Sequence, residues 1–304
     1  MRIIICCNKN DFFLTRICVA SIRYYYPDVD IFLVKDFLNG PFSSTELERA
    51  MNVKILDLGP RKFGWSAAKM YLLLGNQFPG EKLLSLDSDI IFAGRFLEKI
   101  SQDAKGFDFV VNKEPNDDPY SEFVTKHYYD FKYLNKIDPA FQFPGYFFNG
   151  GQMIITTGKL KQSEVIDYFE LDSFPYWKQL DKMPFVDQSL LNYMLPKKEQ
   201  NGEMKILKTK FMLWSESMEV KELDIDQVKK GEKYLYLIHW AGALRIPYIN
   251  KMTRADLLVF FEDFYYSNVP LGNLKKIKRK TLAASDYFLR LFYRNTIKKI
   301  IRRK

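Results

Sequence analysis

Cysteine is nearly absent from this 304-residue chain: the three present, Cys6, Cys7 and Cys18, all fall within the first eighteen residues. Cys6 and Cys7 are adjacent inside an apolar run, where a strand would point them to opposite faces, so no disulfide framework is expected. Long apolar stretches are missing too. No window approaches the roughly 20 residues of a spanning helix. The opening Met1-Arg2-Ile3-Ile4-Ile5 leads into an apolar run that ends at Cys7, too short for a signal peptide. The expectation is a chain that stays in a reducing, cytoplasmic space. Glycine is also missing where a triphosphate loop would need it, since Ile5-Cys6-Cys7-Asn8-Lys9 contains none. That weighs against a sugar nucleotidyltransferase, and no P-loop, dinucleotide fingerprint or zinc-protease helix is found either.

What is present is an ordinary globular composition, 47% hydrophobic and 27% charged, enough to bury one large core or two modest ones. The net charge of +9 suggests an anionic partner until it is located. Residues 273–304 hold 12 Lys/Arg against Asp286 alone, a local charge of +11, which leaves 34 Lys/Arg against 36 Asp/Glu and a body near −2. Basicity is confined to one end.

Along the chain, Arg2 to Cys7 is β-branched and continuous, as a buried parallel strand should be, and gives way to the polar cluster Asn8-Lys9-Asn10-Asp11. Phe12 to Tyr26 has helical spacing and closes at Pro27, and Ile31 to Val34 reads as a second strand. Val53 to Leu58 gives a third strand, Ser66 to Leu74 a helix, and Lys82 to Leu86 another buried strand. Strands alternating with helices predict an α/β fold with a mostly parallel sheet in two or three layers. Residues 112–148 read as an aromatic loop. Further elements are expected around Phe147 to Thr156, Phe185 to Leu195 and Tyr234 to Ile238, with helices again after Pro247.

The most informative segment is Leu83-Leu84-Ser85-Leu86-Asp87-Ser88-Asp89-Ile90-Ile91-Phe92, where two carboxylates interrupt an apolar strand. Period two puts both on one side, and ionised carboxylates in such surroundings call for a cation. The carboxyl end of a strand in an open α/β sheet is also where ligands bind. A lone Asp-x-Asp pair can instead open a loop or cap a helix. His239 follows the strand-like Tyr234-Leu235-Tyr236-Leu237-Ile238 and, as a neutral imidazole, would complete a divalent metal site with Asp87 and Asp89. A histidine at a strand end can equally be structural, which is the reading given to His127. Two more patches stand out. Phe147-Phe148-Asn149-Gly150-Gly151-Gln152-Met153 lets backbone approach a ligand closely, or makes a tight turn. Val186-Asp187-Gln188-Ser189-Leu190-Leu191-Asn192 looks like a helix start with a favourable early carboxylate.

Taken in order, these patches resemble the sugar-nucleotide transferases of glycosyltransferase family 8, the group of glycogenin and the bacterial lipopolysaccharide galactosyl- and glucosyltransferases. Lys69 lies on Trp65-Ser66-Ala67-Ala68-Lys69-Met70-Tyr71, in the place of that family's basic helix. Leu86-Asp87-Ser88-Asp89, Phe148-Asn149-Gly150-Gly151, Asp187-Gln188-Ser189-Leu190-Leu191-Asn192 and His239-Trp240-Ala241-Gly242-Ala243-Leu244-Arg245 then match its four signatures. Gly150 replaces a Ser or Ala, Arg245 replaces a Lys, and Pro247 comes one residue late. The likeness spans roughly Met1 to Pro247.

The resemblance implies the GT-A fold and a hexosyltransferase moving sugar from a UDP-sugar to a hydroxyl of a glycan or lipid-linked acceptor. It implies retention of anomeric configuration and a role in cell-surface polysaccharide or lipopolysaccharide synthesis. Asp87, Asp89 and His239 would hold Mn2+ or Mg2+. Asn8, Asn10, Lys69, Asp87, Asn149, Gly150, Gly242 and Arg245 would bind the donor, and Asp187 and Gln188 would do the chemistry. Residues 1–250 would form the catalytic domain and 251–304 a helical extension. Within the extension, Lys275 to Lys280 reads as a hinge into a basic amphipathic helix, Leu282 to Ile301. That tail suits peripheral attachment to an anionic membrane, on the inner face of the cell membrane, where each cation is worth ~1 kcal/mol. Packing on the body with a solvated basic face is the alternative. A non-catalytic membrane-surface or nucleic-acid-binding module is the competing reading of the whole chain, although nucleic acid is not the expected partner.

Overall fold

The computed structural model describes residues 1–59, 61–115, 118–171, 175–184, 186–242 and 245–294. Its strands are β1 (Arg2–Asn8), β2 (Ile31–Asp36), β3 (Lys54–Ile55), β4 (Lys82–Asp87), β5 (Ile90–Phe92), β6 (Phe109–Glu114), β7 (Phe147–Thr156), β8 (Ile206–Thr209), β9 (Met212–Trp214) and β10 (Leu237–His239). The helices are α1 (Phe12–Tyr25), α2 (Thr45–Met51), α3 (Gly64–Leu74), α4 (Leu97–Asp103), α5 (Glu122–His127), α6 (Phe131–Ile137), α7 (Gln162–Val165), α8 (Val186–Gln200), α9 (Met218–Lys221), α10 (Ile225–Lys230), α11 (Ala255–Ser267) and α12 (Gly272–Phe292).

β1 sits inside a seven-stranded sheet of order β3-β2-β1-β4-β7-β6-β8, with parallel partners on both sides. That position explains its unbroken apolar run: Ile3, Ile4 and Ile5 are all fully buried, each worth about 1.5–3 kcal/mol of hydrophobic stabilisation. Ile3 and Ile5 pack with α1 and α11 on one face, while Ile4 packs with α3 and α8 on the other. The architecture is therefore three-layered, helices on both faces of one sheet. β7 alone in this sheet runs against its neighbours, β4 and β6. Its ladder to β6 shifts register between Val111 and Lys113, beside Asn149, Gly150 and Gly151. Such bulges re-aim a strand next to functional sites.

A smaller sheet of order β5-β10-β9 begins just past the carboxyl end of β4. It pairs His239 with Ile90 on one side and with Trp214 on the other.

Several expectations need correction. The third strand is only Lys54–Ile55, paired with Phe32 and Leu33. The expected loop at 112–148 contains the end of β6 and the short helices α5 and α6, capped by the Ser121 and Asp130 side chains. The last strand starts at Leu237 rather than Tyr234 and includes His239. No hinge interrupts residues 275–280, because α12 is continuous from Gly272 to Phe292. Three of the five cations there are paired with carboxylates of the body, which relieves their mutual repulsion: Lys276 meets Asp263 at 2.6 Å, Arg279 meets Glu262 at 2.5 Å, and Lys275 pairs with Glu46. The part of the anticipated tail helix from Asn295 onward lies outside the described residues.

Candidate active and metal site

β4 delivers Asp87 to the carboxyl edge of the sheet between β1 and β7. The turn that follows sets Asp89 beside β10, where the Trp240 amide donates to the Asp89 carbonyl at 3.1 Å. His239, at the end of β10, places Nε2 3.1 Å from Asp89 Oδ1 and 4.0 Å from Asp87 Oδ2. One ligand atom from each of Asp87, Asp89 and His239 lies within 4.8 Å of the others. His239 is 1% exposed, yet neither of its ring nitrogens has a hydrogen-bond partner among the described residues. The 3.1 Å approach to Asp89 is thus an ion-pair distance without hydrogen-bond alignment. A buried imidazole normally satisfies its nitrogens, so this orphaned pair between two carboxylates fits a divalent cation. Gly151 supplies the room: a Cβ there would stand 2.4 Å from His239 Cε1 and 2.9 Å from Asp87 Oδ2.

The surrounding charges form a chain. Lys69, 3% exposed on α3, lies 2.8 Å from Asp87 Oδ1 and 3.4 Å from Asp187 Oδ2 and donates to the Gly150 carbonyl at 2.8 Å. Burial works against its ammonium, but Asp87 and Asp187 outweigh burial and hold its pKa above the ordinary lysine value. Arg245 reaches Asp89 Oδ2 at 2.7 Å. Burial would raise the Asp89 carboxyl, yet His239 and Arg245 prevail and keep it at about 2. Asp87 goes the other way: burial raises it, with Lys69 only partly compensating. Burial likewise raises Asp187 to about 6 against the pull of Lys69. Three carboxylates thus face two fixed cations, an imbalance that a metal ion would offset.

On α8, Asn192 bonds both the amide and the carbonyl of Phe148, 2.9 Å each, and so fixes β7 to the helix. One turn earlier Gln188 accepts from the Asn149 side chain and the Gly150 amide and donates to the His127 carbonyl at 2.9 Å. Its amide is committed to three neighbours. Asp187 keeps Oδ2 without a hydrogen bond.

The fold therefore gathers Lys69, Asp87, Asp89, Asn149, Gly150, Asp187, Gln188, His239 and Arg245. Asn8 stands on the adjoining strand end, where its Oδ1 accepts from the Asn10 and Asp11 amides and its Nδ2 donates to Asp11. Asn10 is exposed in that turn. Gly242 has φ +75° and open space around it. Sequence reasoning missed Trp214, whose ring stacks on His239 at 5.2 Å and 19°. It also missed Glu114, the buried acceptor of the Trp214 indole N–H at 3.2 Å. Burial raises Glu114, offset in part by Trp214 and Asn112. The signal was there in Phe109-Val110-Val111, a short apolar run followed by the polar Asn112-Lys113 and the carboxylate Glu114.

No protein-family model and no curated protein matches the sequence. Among solved structures, the chain is similar to the bifunctional glycosyltransferase WbbM in its apo form, with TM-score 0.55 and 15% identity over 92% of this chain and 52% of that one. It is also similar to the galactosyltransferase LgtC in complex with donor and acceptor sugar analogues, at TM-score 0.54 and 18% identity over 88% of this chain and 96% of that one. A third match is the apo glycosyltransferase GlyE of Streptococcus pneumoniae TIGR4, at TM-score 0.50 and 15% identity over 86% and 59%. The chain spans about half the length of WbbM and nearly all of LgtC. This likeness agrees with the family 8 resemblance, and the fold of the chain is the GT-A fold of these glycosyltransferases.

Proposed function

We propose that the chain is a metal-dependent glycosyltransferase that moves a hexose from a UDP-sugar to a hydroxyl of a glycan or lipid-linked acceptor. On this reading it retains the anomeric configuration and serves cell-surface polysaccharide or lipopolysaccharide synthesis. The observation that carries the reading is the buried, unsatisfied His239 imidazole set between Asp87 and Asp89 at the carboxyl edge of the sheet. The name of LgtC, crystallised with donor and acceptor sugar analogues, supports the same chemistry.

Transfer breaks the bond from the anomeric carbon to the diphosphate, forms one to the acceptor oxygen and releases the acceptor proton. Mn2+ or Mg2+ held by Asp87, Asp89 and His239 would supply Lewis-acid neutralisation of the diphosphate. Lys69 holds Asp87 and Asp187 in one geometry, so the metal side and the sugar side of the site are tied together. Arg245, with its side chain 42% exposed and one contact to Asp89, is the cation that would meet a phosphate. A fixed donor of this kind is worth about 2.7–4 kcal/mol in a transition state. Of Asp187 and Gln188, the carboxylate, paired with Lys69 through Oδ2 at 3.4 Å, is the group whose charge would stabilise positive charge developing at the anomeric carbon. Gln188 holds Asn149 and Gly150 in place.

The test is nucleotide release from a panel of UDP- and GDP-sugars, with and without manganese, using wild type and Asp89→Ala. Metal-dependent release of UDP from one sugar, lowered at least about 100-fold in the variant, is the expected result. Absence of metal-dependent release from every donor, with lipid-linked acceptor supplied, would refute the proposal.

A further inference from the structure

We propose that the outward face of α12 docks along the interface of an anionic lipid bilayer. This inference goes beyond sugar transfer and does not depend on it. Helical spacing puts Leu274, Ile277, Leu282, Phe288, Leu289 and Phe292 on one side of α12, and each is 52% to 68% exposed. The opposite side holds the buried Gly272 and Ala283, and there Lys275, Lys276 and Arg279 pair with Glu46, Asp263 and Glu262. The usual arrangement of a surface helix, apolar inward and charged outward, is thus reversed. Its orientation is fixed as well as unusual, because Tyr248 packs on Tyr287 and Phe288 with ring centroids 5.6 and 6.1 Å apart. Contiguous exposed apolar side chains on this scale mark an interaction surface.

Length and charge select the occupant. With 21 residues the helix is roughly 30 Å long, but no described helix is long and apolar enough to cross a membrane, so this one would lie on the surface. The sequence from 273 to 304 carries 12 Lys/Arg against one acidic residue. A second copy seated on the same face would bring two such segments together and be repelled. An anionic bilayer accepts both properties at once: the apolar stripe enters the headgroup–acyl boundary, and cations such as Lys278, exposed on the same side, meet the headgroups.

The experiment is flotation of the full chain with vesicles of phosphatidylcholine alone or with phosphatidylglycerol added. Binding at least roughly tenfold tighter to the anionic vesicles, weakened by salt, is expected. Leu289→Glu with Phe292→Glu should abolish it while leaving the thermal transition and Mn2+ binding unchanged. Should that pair fail to fold, Leu289→Ala with Phe292→Ala should weaken binding measurably. The proposal is overturned if anionic vesicles do not bind, or if either pair binds like wild type. It is equally overturned if light scattering shows a dimer that Leu289→Glu turns into a monomer, or if RNA competes the protein off anionic vesicles at equal charge concentration.

Discussion

The centre around Asp87 and the helix α12 both break the ordinary rule of burial, in opposite senses. At the centre, charge lies inside: Lys69, Asp89, Asp187 and His239 are buried together. On α12, large apolar side chains lie outside while cations turn towards the body. Burying charge costs several kcal/mol per ion unless partners repay it, so the centre persists through its internal pairs and Gly150. The helix has no such internal compensation for its exposed stripe. The centre, one positive charge short, calls for a cation, and the helix, with its apolar stripe open, calls for an apolar surface.

Predictions that sharpen this contrast begin with the centre. Asp89→Ala removes the partner of Arg245 and a proposed metal ligand. Mn2+ binding measured by electron paramagnetic resonance is expected to fall by more than about 100-fold, together with the loss of UDP release. Gly151→Ala would drive a methyl into His239 and Asp87, and a loss of roughly 10–100-fold in Mn2+ affinity is expected. Unchanged affinity there would show that the close packing is not what shapes the site.

The pH dependence of metal-free protein comes next. Asp187, at about 6, and Asp87, also raised, bind protons more readily folded than unfolded. Their ionisation therefore destabilises the fold as pH rises from about 4 to about 6, on the order of 3 kcal/mol for the Asp187 shift. Asp89 has the opposite sign: its stabilisation is present above the ordinary carboxylate range and is lost only as pH falls towards 2. Calorimetry in EDTA should find a higher transition temperature at pH 5 than at pH 7, with a smaller difference in Asp187→Asn. The smallest effect belongs to α12, where Leu289→Ser at a 68% exposed position should change stability by less than about 0.5 kcal/mol. Leu84→Ala in β4, by contrast, should cost about 2–5 kcal/mol.

Legibility in the sequence follows from how local each signal is. β1, α1 and β4 are visible because their burial shows as an unbroken run or a helical period within one segment. Asp87, Asp89, Asp187 and His239 announce themselves by residue type beside such runs. By contrast, β5 and β9 have three residues each, too few to display a period, and β10 is legible as a strand but not in its bounds. The helices α5 and α6, of six and seven residues, depend on caps that the aromatic composition hides. Trp214 and Glu114 meet 100 positions apart, a partnership that no window contains. The supposed hinge at 275–280 failed for a related reason: the carboxylates that pair with three of its cations are Glu46, Glu262 and Asp263, none of them in the run itself.

The small sheet β5-β10-β9 has a consequence for how the molecule comes into being. Asp89 joins Arg245 across 156 positions of chain, and His239 reaches the aspartates only when β10 slots between β5 and β9. Closing loops of that size is slow compared with forming the neighbouring β-α-β unit from β1 to β2. The cluster of Asp87, Asp89 and His239 is thus expected among the last things built during folding, and in a refolding experiment Mn2+ capture at the proposed site should trail the recovery of helix and strand.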